Sequence, residues 1–266
     1  MKSLFRSPAA SSVVSSALAG ARGLLALLPQ VIASSCAVCG LRAKALLCAP
    51  CRQQFFQTVS TRCSCCALPL ATNAPSVVVP VCGACLTAPP AFDATVVAAD
   101  YQAPLDQLVL QLKFGGKLAL AALFGDLLRD ALLHLHATEK INPELPTCLI
   151  PVPLSARRLQ QRGFNQSLEM ARPLARHLGV PVLATTMERV RETRPQSELP
   201  VAERRQNIRD AFIVRAAAQS LIAGQHVGVV DDVMTTGETL HELASTLKRF
   251  GASRVTNLVF ARTLPR

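Results

Sequence analysis

An α/β fold is what this sequence predicts: a parallel sheet with helices on both faces, preceded by a small cysteine-bound module. Three observations lead there. Apolar strand-like runs alternate with amphipathic helical stretches from about residue 94 onward, the pattern of a doubly wound sheet. Eight of the ten cysteines form four C-x-x-C pairs before residue 86. The third is the run Val229-Val230-Asp231-Asp232-Val233-Met234-Thr235-Thr236-Gly237-Glu238-Thr239, which reads as a buried strand, an acidic pair, a small-residue loop and a helix start.

With 266 residues, half of them hydrophobic, the chain has enough material for one large domain and a smaller module. We divide it into a tail or short helix over 1–33, a double metal ribbon over 34–90 and the sheet domain over 91–266. The net charge of +11 suits an anionic partner such as nucleic acid, a phosphorylated metabolite or a membrane surface. Aromatic content of 4 % with no Trp leaves few residues for a broad base-stacking surface. The uncharged stretch 63–92 carries Pro69, Pro75, Pro80, Pro89 and Pro90, which would break a spanning helix, so no stable membrane insertion is expected. Serines dilute the apolar run after Lys2 and Arg6, unlike a secretory signal.

Cys36 and Cys39, then Cys48 and Cys51, can each present a pair of thiolates on a tight turn. Cys63 with Cys66, and Cys82 with Cys85, repeat the device and leave Cys65 spare. Such grouping favours structural zinc, with every position filled by thiolate and none left for water, and it implies a reducing, cytoplasmic setting. Sequential pairing would give two ribbons and alternate pairing a cross-braced module; the spacing allows both. Cys148, alone in a strand-like run, is expected in the core.

Residues 94–101 follow as a strand, Pro104–Phe114 as a helix, and Lys113-Phe114-Gly115-Gly116-Lys117 as a turn able to meet an anion. A long helix is expected from Leu118 to about Leu135 and a strand over Thr147–Val152. Arg157, Arg158 and Arg162 come next, before Gly163-Phe164-Asn165-Gln166. Guanidiniums beyond a strand end can chelate a polyphosphate or a nucleic-acid backbone, although a solvated basic turn would look the same. A helix ending at Gly179 and a strand over 180–190 are expected after it, then a long polar connection holding Arg194, Arg204 and Arg205. Phe212–Val214 reads as a strand and Val255–Ala261 as the last one. Between them, adjacent acids at the end of a strand are costly without a ligand. The loop beyond offers N–H groups, hydroxyls and a helix N-terminus to a phosphate. Leu240, Leu243, Ala244, Leu247 and Phe250 keep one face of that helix apolar.

The acidic pair with Thr235-Thr236-Gly237-Glu238-Thr239 resembles the nucleotide-binding motif of type I phosphoribosyltransferases. The paired cysteines, Leu112-Lys113-Phe114, the run Pro151-Val152-Pro153-Leu154-Ser155-Ala156-Arg157-Arg158 with Arg162-Gly163-Phe164-Asn165-Gln166, and the acidic motif together resemble the ComF family of competence and DNA-utilization proteins. That resemblance implies zinc ribbons joined to a type I phosphoribosyltransferase-like domain in a cytoplasmic protein. The implied task is handling of single-stranded DNA entering the cell in natural transformation or DNA utilization, in company with a helicase-like competence partner. It also implies that Asp231 and Asp232 hold the ribose hydroxyls of phosphoribosyl pyrophosphate, and that Thr235, Thr236, Gly237 and Thr239 hold its phosphate. Arg157, Arg158, Arg162, Arg194, Arg204, Arg205 and Lys113 are candidates for pyrophosphate or DNA backbone, with magnesium accompanying the pyrophosphate. The alternative is an active phosphoribosyltransferase that acts on a nucleobase and releases pyrophosphate.

Overall fold

A computed structural model describes residues 34–56, 61–71, 80–138, 144–191, 208 and 210–264. The tail 1–33 and Arg194, Arg204 and Arg205 lie outside the described residues. The chain forms two compact units, one ending at Cys51 and one beginning at Arg52. In the first, β1 (Ser34–Ser35) pairs antiparallel with β2 (Arg42–Ala43) across a turn that carries Cys36 and Cys39. Gly40 closes that turn at φ +74°, a conformation that glycine adopts without Cβ strain. Helix α1 (Ala49–Phe56) carries Cys51.

Four strands make the main sheet of the second unit: β3 (Ala94–Asp100), β4 (Cys148–Pro151), β7 (His226–Met234) and β8 (Arg254–Arg262). All pair in parallel, in the order β3-β8-β7-β4. Before the sheet lies the short α2 (Gly83–Thr87), and between the strands run α3 (Leu105–Gly115), α4 (Ala119–Thr138), α5 (Ala156–Arg162), α6 (Gln166–Leu178) and α7 (Glu238–Arg249). Successive side chains of β8 point to opposite faces, and both faces are covered. Phe260 stacks on Phe124 of α4 with ring centroids 3.6 Å apart, while Val255 and Val259 belong to the core cluster with Leu240, Leu243 and Leu247 of α7. Each large apolar side chain buried this way contributes about 1.5–3 kcal/mol. Cys148 is in the same core.

The parallel sheet with helices on both faces follows the sequence expectation, and one element departs from it. The strand expected over 180–190 is divided. Val182 bridges Leu149 beside β4, the chain turns, and β5 (Met187–Arg189) pairs antiparallel with β6 (Phe212–Val214) in a separate ribbon. Apolar content marks a strand but does not say which sheet the strand joins. Among the described residues no helix is long and apolar enough to cross a membrane.

Candidate functional site

Strand β7 is central, and Val227, Val229 and Val230 are fully buried. Its neighbour β4 stops with Pro151 opposite Val230, so Asp231 and Asp232 are the first β7 residues without a strand on that side. A crevice opens where a neighbouring strand ends, as in other parallel sheets that bind ligands at strand carboxyl ends. Both acids are nevertheless buried, at 9 % and 3 % exposure. Asp231 Oδ1 accepts from the Ser167 hydroxyl at 3.1 Å and from the Asp232 N–H at 3.0 Å. Asp232 Oδ2 lies 3.0 Å from Lys113 Nζ.

Burial, then the neighbouring Asp232 charge, pushes the Asp231 carboxyl up to about 7, against the opposing pull of Lys113, the Asp232 N–H and the Ser167 hydroxyl. Two carboxyls this close resist double ionisation in a dry site. Ser167 reaches Asp231 because Asn165 caps α6: its Oδ1 accepts from the N–H groups of Ser167 and Leu168.

The loop after β7 turns on Gly237, at φ +87°, and a Cβ there would come within 2.6 Å of Met234 Cε. The left-handed backbone favours glycine there, and a larger residue would also have to displace the Met234 methyl. Helix α7 then presents its N-terminus. Thr236 Oγ1 is buried with no hydrogen-bond partner among the described residues, an expensive state that a bound anion would relieve. A phosphate suits the position: it accepts hydrogen bonds and is favoured by the helix dipole.

The predicted cations divide into groups. Lys113 is engaged by Asp232. Arg162 Nη1 donates to Gln166 Oε1 at 2.9 Å, and its guanidinium lies over the Phe114 ring, 5.3 Å from the centroid. Burial lowers the Arg162 pKa, and the Asp232 and Asp231 charges oppose that shift. Arg158 is close enough to repel both Arg162 and Arg189. Arg157 is exposed. Arg189 of β5 was not expected here; burial lowers it to about 10, with Arg158 adding to the shift and Asp231 opposing it. Lys113 therefore contacts the acidic pair, Arg162 and Arg189 lie within reach of its charge, and Arg158 lies near those two arginines.

Each cysteine tetrad is sequential. The sulfurs of Cys36, Cys39, Cys48 and Cys51 lie within 4.8 Å of one another, as do those of Cys63, Cys66, Cys82 and Cys85. Cross-bracing is thereby ruled out, and Cys65 stands outside both sets. In each set a backbone N–H points at the first sulfur: Cys48 N–H to Cys36 Sγ at 3.5 Å and Cys82 N–H to Cys63 Sγ at 3.3 Å. Burial would raise these two thiols, but such N–H contacts outweigh it and lower Cys36 to about 6 and Cys63 to about 7. Burial and the neighbouring sulfurs instead raise Cys51, Cys66 and Cys85, a crowding of four sulfurs that a zinc ion held by all four could relieve.

Arg262, at the end of β8, also escaped sequence inspection. Its Nε donates to the Cys66 carbonyl at 3.1 Å, and its Nη1 reaches the carbonyls of Met234, Thr235 and Thr263. One buried guanidinium thus ties the second cysteine turn to the loop after β7. No sequence signal marks it, because an arginine ending a strand is common and its partners lie far away in the chain.

A family model described as phosphoribosyl transferase domain matches residues 165–264, the span from the α6 cap through β8. The DNA utilization protein YhgH of Salmonella typhimurium (strain LT2) is 39 % identical over 218 residues, which cover 82 % of this chain and 91 % of that protein. Competence protein F of Haemophilus influenzae is 34 % identical over 174 residues, covering 65 % and 75 %. Competence protein ComFC of Bacillus subtilis is 28 % identical over 125 residues, covering 47 % and 48 %.

Proposed function

Because the chain belongs to the ComF family of competence and DNA-utilization proteins, we propose that it handles single-stranded DNA in the cytoplasm and binds a ribose phosphate, phosphoribosyl pyrophosphate, in the crevice at Asp231 and Asp232. The observation that carries the pocket is the buried acidic pair beyond the end of β4, followed by a loop whose Thr236 hydroxyl is buried and unpaired. Carboxylates suit vicinal ribose hydroxyls, which DNA lacks at the 2′ position, so the pocket favours a free phosphoribosyl ligand over an internal DNA nucleotide. Thr235, Thr236, Gly237 and Thr239 would hold the 5′-phosphate. Lys113, Arg158, Arg162 and Arg189 would face the pyrophosphate, and a magnesium ion would arrive with it.

For DNA, support comes from the relatives' names and the net charge of +11. Arg157 and Arg158 are the backbone contacts we assign, with Arg194, Arg204 and Arg205 on the connection beyond β5; a helicase-like protein would be the partner. Each cysteine tetrad would hold one structural zinc, consistent with a reducing compartment.

Two titrations test this. Asp231→Asn with Asp232→Asn is expected to abolish calorimetric binding of phosphoribosyl pyrophosphate with magnesium; retained binding would remove the pocket. Arg157→Glu with Arg158→Glu is expected to weaken binding of a labelled single strand and to flatten its salt dependence; an unchanged isotherm would move the contact elsewhere.

A second reading is phosphoribosyl transfer to a nucleobase, favoured by Lys113 at the acidic pair and the arginines near it, which would neutralise a departing pyrophosphate. Base-dependent release of pyrophosphate would establish it, and its absence across a panel of nucleobases would leave binding alone.

A further inference from the structure

Among the described phenylalanines and tyrosine, Phe114 alone is exposed, with 72 % of its surface open. Single exposed apolar side chains are ordinary, but this one is held in a particular place. Leu112 is fully buried two residues before it, and Lys113, its immediate neighbour, places Nζ 3.0 Å from Asp232 Oδ2. The ring stands one residue from that contact, against a guanidinium that the Asp231 and Asp232 charges also reach. Arg162 lies over the ring at 5.3 Å and is itself braced by Gln166 at 2.9 Å.

The surroundings leave room. Helix α3 ends at Gly116, at φ +63°, and α5 ends at Gly163, at φ +76°. A Cβ at either glycine would meet nothing within 4 Å. Arg162 takes one face of the ring and the rest of the side chain is largely open; an aromatic ring with a braced guanidinium against it is the equipment that proteins use to stack nucleic-acid bases.

We propose that Phe114 and Arg162 form a stacking site for one planar heteroaromatic base near the acidic pair. The base belongs either to a single strand or to a free nucleotide whose phosphate enters the loop after β7. This deepens the function proposed above and rests on it. Arg162 acts here through its position against Phe114, held by its hydrogen bond to Gln166.

The test uses the full zinc-loaded chain with four probes: oligothymidylate, an abasic oligodeoxynucleotide of equal length, adenosine monophosphate and ribose 5-phosphate. Fluorescence anisotropy for the oligonucleotides and calorimetry for the small molecules give the gain in affinity due to the base. Phe114→Leu is expected to cut that gain by about tenfold in at least one arm, while abasic-strand and ribose 5-phosphate binding stay unchanged, and Phe114→Trp should keep it. A base-dependent gain that survives Phe114→Leu in both arms, or that wild type never shows, overturns the site. So does an equal loss on the abasic strand, since the ring would then act on backbone binding. Failure of the DNA reading looks different: wild type would bind neither oligonucleotide, whereas a gain for adenosine monophosphate lost in Phe114→Leu would leave the stacking site standing on a free nucleotide.

Discussion

The two cysteine tetrads share a ligand set and differ in what surrounds them. Around the first, Cys39 is exposed and Leu41 is 70 % exposed, and the turn is closed by its own bonds, Cys36 N–H to the Leu41 carbonyl and Ala37 N–H to the Leu46 carbonyl. Around the second, Cys63, Cys66 and Cys82 lie in one buried cluster with Phe92, Met234 and Leu240. Arg262 joins the Cys66 carbonyl to the loop after β7, and the Thr95 N–H donates to the Ser64 carbonyl. In the first case the four-sulfur set holds a turn closed by its own backbone bonds. In the other it underpins the proposed ligand loop.

The largest contrast should come from removing ligands. Cys63→Ser with Cys66→Ser is expected to lose one of about two zinc ions and to abolish phosphoribosyl pyrophosphate binding, since structural zinc carries folding energy. Cys36→Ser with Cys39→Ser is expected to lose the other zinc while the larger unit's unfolding midpoint moves by no more than about 2 °C. Metal analysis and calorimetry read both; equal effects from the two pairs would break the contrast.

Arg262→Met comes next. It strips donors from several buried carbonyls, at a cost of about 3 kcal/mol, and should weaken phosphoribosyl pyrophosphate binding at least about tenfold with both zinc ions retained. A lower midpoint with unchanged affinity would make Arg262 structural only.

A smaller effect is the pH response of the crevice. Asp231 titrates near 7 in the folded chain, above its ordinary 3.8, so the folded state holds a proton that the unfolded state has released between those values. The associated stability is fully present below about 3.8 and is lost as pH rises through about 7. Urea titrations between pH 5 and 8 should show that decline, and Asp231→Asn should flatten it. The groups that set the shift, Asp232, Lys113 and Ser167, lie far in sequence from the first tetrad. The Cys36→Ser, Cys39→Ser variant should therefore keep the decline, and its loss there would mean that the first tetrad also supports the crevice.

Cys65→Ser should do least, keeping both zinc ions and changing stability by about 0.5 kcal/mol or less.

Much of the site could be read in sequence because its signals are local. The strand, acids, glycine turn and α7 follow one another without a break from His226 to Arg249, and the C-x-x-C spacings announce sulfur turns. What could not be read depends on distant partners. Ser167 supports Asp231 from 64 positions away, Arg262 reaches Cys66 across 196, and Lys113 meets Asp232 only once α3 has packed. Tetrad pairing was undecidable for the same reason, since both connectivities satisfy the spacing. The divided strand over 180–190 shows the limit of periodicity: Leu183 N–H bonds to the Leu149 carbonyl, and a few residues later the chain has left for another partner.

The pairing of β3 with β8 also sets an order of assembly. As the chain leaves the ribosome, both cysteine sets are complete by residue 85, before any strand of the main sheet has emerged. Strand β3 must then wait for residues 254–262, its only neighbour in the sheet among the described residues. The sulfur cages can fill during synthesis, whereas the sheet closes only after nearly the whole chain is made. In the interval the second cage holds its turn ready for Arg262.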